Sequence, residues 1–221
     1  SEAEVHDLPS TFDEFQTYYG SAPRIIGFKE HCQVGLLMED DAKKMRLAPA
    51  GLFNTGTNLL FNLLKRNCKV SSSSSYEPID WMVPWGKHYS ASHRGQRFAR
   101  FHEQVNVSEV LPVVVVRDPY EWMKAMCRHP YVMSWGRDEN DEEEKFDRFN
   151  MFKGDDPQYS CPLLVDPDTN ETVPVMVKAH GQKFPSLAHY WNEWNREYVE
   201  LTEEQVPRLI VRLEDLVMYP K

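Results

Sequence analysis

Gly51 and Gly56, in the stretch "GLFNTGTNLL", stand five residues apart, the G-x-x-x-x-G spacing of loops that cradle phosphate groups with successive backbone N–H donors. Where such loops bind a nucleoside triphosphate, the second glycine is followed by a lysine and then by a Ser or Thr that holds magnesium. Thr57 and Asn58 occupy those two places here. The loop therefore lacks its own cation and its metal-holding hydroxyl. It keeps the backbone amides of Asn54 to Leu59 and three neutral donors, Thr55, Thr57 and Asn58. The helix expected to follow adds about half a positive charge at its N-terminus. That set suits a phosphate or a sulfate. It does not suit magnesium-assisted transfer of a γ-phosphoryl group, which relies on both missing residues to neutralise charge. A sulfuryl group carries one negative charge where a terminal phosphoryl carries about two, and its transfer can proceed without a metal.

A second anion-ready residue is Arg117, which follows the run Val113 to Val116 and precedes Asp118-Pro119. A continuous β-branched run with no alternation reads as a central parallel strand buried on both faces. Asp118 as N-cap, Pro119 at the first helical position and Glu121 three residues after the cap give a capping-box-like helix start. Leu59, Leu60, Leu63 and Leu64 form one apolar stripe of the helix after the Gly51 loop. Strands alternating with helices in this way imply an α/β layer fold with a mostly parallel sheet. In such sheets ligands sit beyond the carboxyl ends of the strands, where the Gly51 loop and Arg117 would both lie. Two anion-ready corners on one edge point to one ligand with two separated anionic groups.

At 221 residues the chain is expected to be a single domain, 1–221, with a substantial core. Residues 1–46 read as an N-terminal extension whose aromatic cluster "FDEFQTYY" forms a short helix packing on the body. Ser71 to Ser75 read as a surface loop, and 137–149 as an acidic surface insertion. "PLLVDPDTNETVPVMVKA" looks like a hairpin around the turn cluster Asp166 to Asn170. Leu187, Tyr190, Trp191, Trp194 and Tyr198 share one helical face and read as core. "PRLIVRLEDL" closes the chain with a β-rich segment.

A net charge of −9 and a pI near 5.4 argue against a nucleic-acid partner, because phosphate-backbone affinity needs a basic face. The longest strongly apolar run, Leu111 to Val116, is about a third of what spans a bilayer. A leading Ser-Glu without Met leaves room for a membrane anchor outside the given chain. Cys32, Cys68, Cys127 and Cys161 form no CxxC, which speaks against a zinc ribbon, and their even count permits two disulfides. Sequons at Asn106 and Asn170 tilt the reading toward the secretory pathway.

Three segments in order resemble the sulfotransferase family. "GLFNTGTNLL" is similar to its 5′-phosphosulfate-binding loop, "VVVVRDPYEWMKAM" to its 3′-phosphate-binding strand and helix, and "LIVRLEDLVMYP" to the segment that closes its core sheet. The match in order and spacing spans about Leu47 to Pro220. The resemblance implies a three-layer, P-loop-type α/β fold with a central mostly parallel sheet flanked by helices. It also implies 3′-phosphoadenosine 5′-phosphosulfate as sulfuryl donor, adenosine 3′,5′-bisphosphate as product, and no metal. Carried over by position, Asn54, Thr55, Gly56, Thr57 and Asn58 would hold the 5′-phosphosulfate, and Arg117 the 3′-phosphate, a bidentate task that suits guanidinium.

Three positions depart from the family pattern. Asn54 stands where a Lys or Arg is usual. Ala125 replaces the serine of the 3′-phosphate site, with Lys124 beside it as a substitute. Leu59 replaces the tryptophan that flanks adenine. The stretch "WGKHYSASHR" resembles the K-x-H segment from which family members draw a catalytic histidine, although Lys87 and His88 are adjacent here. The expectation is His88 as general base, since imidazole titrates near neutral pH, with Lys87 stabilising charge on the transferring group. His93 is a rival, as are Glu77 and Asp80 by analogy with carboxylate-using glycan sulfotransferases. Arg94, Arg97 and Arg100 read as a solvated helix face.

The expected function is an enzyme moving a sulfuryl group to an acceptor hydroxyl of a carbohydrate or small alcohol. The sequons and cysteines favour the Golgi lumen over the cytoplasm. The alternatives are a non-catalytic nucleotide- or glycan-binding protein on the same scaffold, and a magnesium-dependent kinase with a degenerate P-loop.

Overall fold

In the computed structural model, residues 11–27, 45–68, 79–95, 106–135, 170–177, 181–201 and 206–219 are described. Their strands are β1 (Ile25–Ile26), β2 (Arg46–Gly51), β3 (Val110–Val116), β4 (Met133–Trp135), β5 (Val175–Val177), β6 (Gln182–Phe184) and β7 (Leu209–Arg212). Their α-helices are α1 (Phe12–Tyr19), α2 (Thr57–Asn67), α3 (Pro119–Arg128), α4 (Leu187–Glu200) and α5 (Leu213–Met218). The fold is mixed α/β. A four-stranded sheet runs β1-β7-β3-β2, and a smaller three-stranded antiparallel sheet runs β4-β5-β6.

The valine run is the centre of the larger sheet. β3 pairs in parallel with β2 on one side and β7 on the other. Its side chains divide between two apolar clusters as strand geometry requires. Val110 and Val114 join Trp122, Met126, Tyr190 and Trp194 from α3 and α4. Leu111, Val113 and Val115 join Leu60 of α2, with Leu213 and Leu216 of α5 packed against them. Burial on both faces explains why this strand has no polar alternation.

Register brings three strand ends to one edge. Gly51 lies opposite Val115, and Val116 opposite Arg212, so the Gly51 loop, Arg117 and the start of α5 leave the sheet together. This is the edge expected to bind a ligand.

Several expectations need amendment. The N-terminal segment does more than pack on the body, because β1 adds an antiparallel edge strand to β7. α1 forms with a reciprocal Thr11–Glu14 capping box and buries Phe15. The closing segment is β-strand only as far as Arg212, after which Leu213 to Met218 are helical. Val175–Val177 pairs with β4 and β6. The other arm of the expected hairpin, the serine run and the acidic insertion lie outside the described residues.

Candidate functional site

β2 ends at Gly51, five residues form the loop, and α2 starts at Thr57. Two glycines are needed here for different reasons. A Cβ on Gly51 would stand 2.5 Å from Thr55 Oγ1 and 2.8 Å from Thr57 Cγ2. Gly56 is the N-cap in the left-handed region, φ 83°, and a Cβ there would meet Leu213 Cδ1 at 2.6 Å. Thr55 closes the turn internally, its hydroxyl donating to Leu52 O at 2.7 Å. No side chain caps α2, so the first-turn N–H groups of Thr57, Asn58 and Leu59 have no intrahelical acceptor. The expected loop and helix start are present, with Thr55 and Thr57 buried there.

A lysine from another segment reaches the start of α2. Residues 79–88 run along the outer side of β2: Ile79 bridges Leu47, Asp80 N donates to Leu47 O, Val83 N to Pro49 O, and Gly51 N to Lys87 O. That path ends with Lys87 Nζ 2.7 Å from Asn58 Oδ1, at the first turn of α2, and 3.8 Å from the centre of the Trp81 ring. Lys87 is 5% exposed, and burial lowers its pKa to about 8. No carboxylate pairs with it among the described residues. An ammonium buried at the positive end of a helix is electrostatically poor without an anion.

His88 is fixed by the same crossing. Its Nδ1 lies 2.7 Å from Gly51 O, and because a carbonyl only accepts, Nδ1 carries a proton. The imidazole stacks on Phe53 at 4.0 Å. Thus the loop, Lys87 and His88, separated in sequence, meet at Gly51.

Arg117 lies beside the loop rather than at a remote corner. Its Nη1 donates to Asn54 O at 2.8 Å, with Nη2 3.9 Å from Glu121 Oε2. Asn54, at φ 61°, turns its amide away from the first turn of α2 to donate to Ala125 O of α3 and to His129 O just past its end. It clamps the loop to α3 with the group expected to face the ligand. Lys124 is exposed and bonds Glu121 Oε1 at 3.0 Å. Glu121 was expected in the capping box, but the carboxylate accepting from Asp118 N is Glu214. Asp118 itself caps Tyr120 N and Glu121 N as expected. Glu121 therefore faces both cations assigned to the 3′-phosphate.

Three tryptophans fix the backbone of site residues, a role sequence reading gave to none of them. Trp122 Nε1 donates to Phe53 O at 2.7 Å, Trp191 Nε1 to Arg117 O at 3.2 Å, and Trp194 Nε1 to His88 O at 3.0 Å. Trp191 and Trp194 belong to the aromatic stripe that was legible as core, where Tyr190, Trp194 and Tyr198 are buried. An indole in a core needs an acceptor for its N–H, which was the available signal.

The remaining candidates separate by place. Asp80 pairs with Arg46 at 3.3 Å, at the opposite end of β2 from Gly51, about 16 Å away along the strand. It is no base for this site. Glu77, Arg97 and Arg100 lie outside the described residues. His93 Nδ1 lies near Ser90 and Ser92, and the Arg94 guanidinium lies over Trp85 instead of on a solvated face. Leu59 is 40% exposed on the first turn of α2. Cys127 is disulfide-bonded and Cys68 is free, so the four cysteines form at most one bridge within the chain. Among the described residues no helix is long and apolar enough to cross a membrane.

Comparison with family models, with curated proteins and with solved structures finds no match to this chain.

Proposed function

We propose that this protein is a sulfotransferase with a three-layer P-loop-type fold, moving a sulfuryl group from 3′-phosphoadenosine 5′-phosphosulfate to an acceptor hydroxyl of a carbohydrate or small alcohol. The observation that carries the reading is the buried Lys87 ammonium against Asn58 at an uncapped helix N-terminus. Cation and orphan amides together call for an anion. Lys87 restores the charge that the loop itself lacks. It also disfavours the kinase alternative, because a cation already holds the side chain in the magnesium-ligating position.

The donor supplies the sulfuryl group and leaves as the bisphosphate. The amides of Thr57, Asn58 and Leu59 receive the 5′-phosphosulfate, and Lys87 neutralises charge on the departing phosphate oxygen. His88 Nε2 takes the proton of the acceptor hydroxyl as its oxygen bonds to sulfur. Nδ1, held on Gly51 O, keeps the ring in the tautomer this needs. Arg117 serves the 3′-phosphate with its remaining donors. Carbohydrate acceptors and secretory sequons place the activity in the Golgi lumen in this reading.

Two features favour a second reading, a non-catalytic nucleotide-binding protein. The Asn54 amide is engaged by α3 carbonyls, and Glu121 faces Arg117 and Lys124. One experiment orders the readings. Adenosine 3′,5′-bisphosphate is expected to raise the melting temperature without magnesium, where ATP with magnesium does not. A labelled-donor screen over sugars, phenols and small alcohols then separates enzyme from binder. Absence of any shift with the bisphosphate sinks both.

A further inference from the structure

Trp81 is a bulky apolar side chain that the core does not use. Backbone bonds fix the chain on both sides of it, Asp80 N donating to Leu47 O and Val83 N to Pro49 O, and the next two residues, Met82 and Val83, are buried. Trp81 itself is 52% exposed and belongs to neither apolar cluster. Its ring instead meets the Lys87 ammonium, 3.8 Å from the ring centre. A half-exposed indole thus lies against a lysine that is only 5% exposed.

We propose that Trp81 is a positioning residue: its indole face holds the Lys87 ammonium at the start of α2 and leaves the charge for an anionic ligand. The chemistry of the two partners decides this. An ammonium has three N–H donors. Asn58 Oδ1 takes one at 2.7 Å, and the π face attracts a second. Both partners are neutral, whereas a carboxylate in place of the ring would hold the ammonium and cancel its charge. Among the described residues nothing takes the third donor of Nζ. That donor and the uncancelled charge remain for an anion, and shielding of the ammonium from water strengthens its pull on one.

The backbone holds the pair together. Between Trp81 and Lys87 lies a turn closed by Gly86 N on Val83 O at 2.9 Å, with Gly86 at φ 103°, and Lys87 O is then tied to Gly51 N. The lysine stem has four rotatable bonds, so backbone placement alone does not fix where Nζ points. The ring and Asn58 do. That the anion is a nucleotide rests on the sulfotransferase reading; that Trp81 holds Lys87 for an anion does not.

The test titrates the full chain by calorimetry, without magnesium, with adenosine 3′,5′-bisphosphate and with inorganic pyrophosphate as a probe that lacks the nucleoside. Trp81→Leu is expected to melt near the parent, because the ring lies outside the core, and to bind whichever anion the parent binds about tenfold more weakly. Trp81→Phe, which keeps a ring face, is expected to recover most of that loss. In a Lys87→Met background, Trp81→Leu is expected to change binding no further. Parent-like affinity in Trp81→Leu overturns the proposal. So does a loss that Trp81→Phe fails to recover, or one that persists in the Lys87→Met background, since the ring then acts on the ligand or the fold and not through the lysine. Pyrophosphate binding that follows the expected pattern without any bisphosphate binding upholds the positioning role and removes the sulfotransferase. Bisphosphate binding indifferent to Trp81 removes the positioning role alone, and a parent that binds neither anion overturns both.

Discussion

Lys87 Nζ and Asn58 Oδ1 lie 2.7 Å apart although 29 residues separate them in the chain. The contact brings a buried ammonium to a helix start whose amides are unanswered. In a phosphate-binding loop with its own lysine, the charge and the amides come from one segment. Here residues 79–88 running along β2 deliver it from outside.

Lys87→Met is therefore expected to separate binding from stability. Methionine keeps most of the stem and removes a charge whose pKa falls from 10.5 to about 8, a penalty on the order of 3 kcal/mol when it is protonated. Thermal unfolding at pH 7 should show a melting temperature equal to or above the parent's. Bisphosphate affinity by calorimetry should fall at least about tenfold, the scale of one charge-assisted contact. A stable variant that binds the bisphosphate as well as the parent removes the anion role.

The same group sets a pH dependence. The folded pKa of Lys87 is depressed, so between about pH 8 and 10.5 the unfolded chain binds more protons and this residue's contribution to stability rises with pH. Anion binding works in the other direction. A bound phosphate favours the ammonium and raises the pKa, so bisphosphate affinity should decline as pH passes above about 8. Titrations at several pH values with parent and Lys87→Met check this, because the slope should vanish in the variant.

His88→Asn keeps an amide donor near Gly51 O and removes the imidazole. It is expected to lower kcat about 10²- to 10⁴-fold while bisphosphate affinity stays near the parent's. An unchanged kcat assigns the proton to another group.

Glu121 pairs with Arg117 and Lys124, so on the proposed reading it competes with the 3′-phosphate for them. Glu121→Gln should raise bisphosphate affinity a few-fold, the scale of a partly exposed ion pair. Adenosine 5′-phosphate, which lacks the 3′-phosphate, should bind both forms alike. If both nucleotides respond equally, Arg117 does not read the 3′-phosphate.

Gly51→Ala should destabilise the chain by about 1–3 kcal/mol, since its Cβ would stand 2.5 Å from Thr55 Oγ1. Gly56→Ala should cost a similar amount through its positive φ and Leu213. Denaturant melts measure both.

The sequence by itself determined the main elements. The unbroken valine run required a strand buried on both faces, Asp118-Pro119 started a helix, and the Gly51–Gly56 spacing produced a tight loop opening α2. These follow from local rules of periodicity, capping and glycine geometry. Tertiary structure alone decided which polar groups meet. Glu214 replaced Glu121 at the Asp118 amide, Asn54 turned to α3, and β1 joined β7. Asp80 and Lys87, seven residues apart, were carried by one path along β2 to opposite ends of the strand. A side chain's partner across the fold depends on strand order and on the course of irregular segments. No residue spacing encodes that, which is why Lys87 could be named from the sequence by resemblance while only packing placed its ammonium on Asn58.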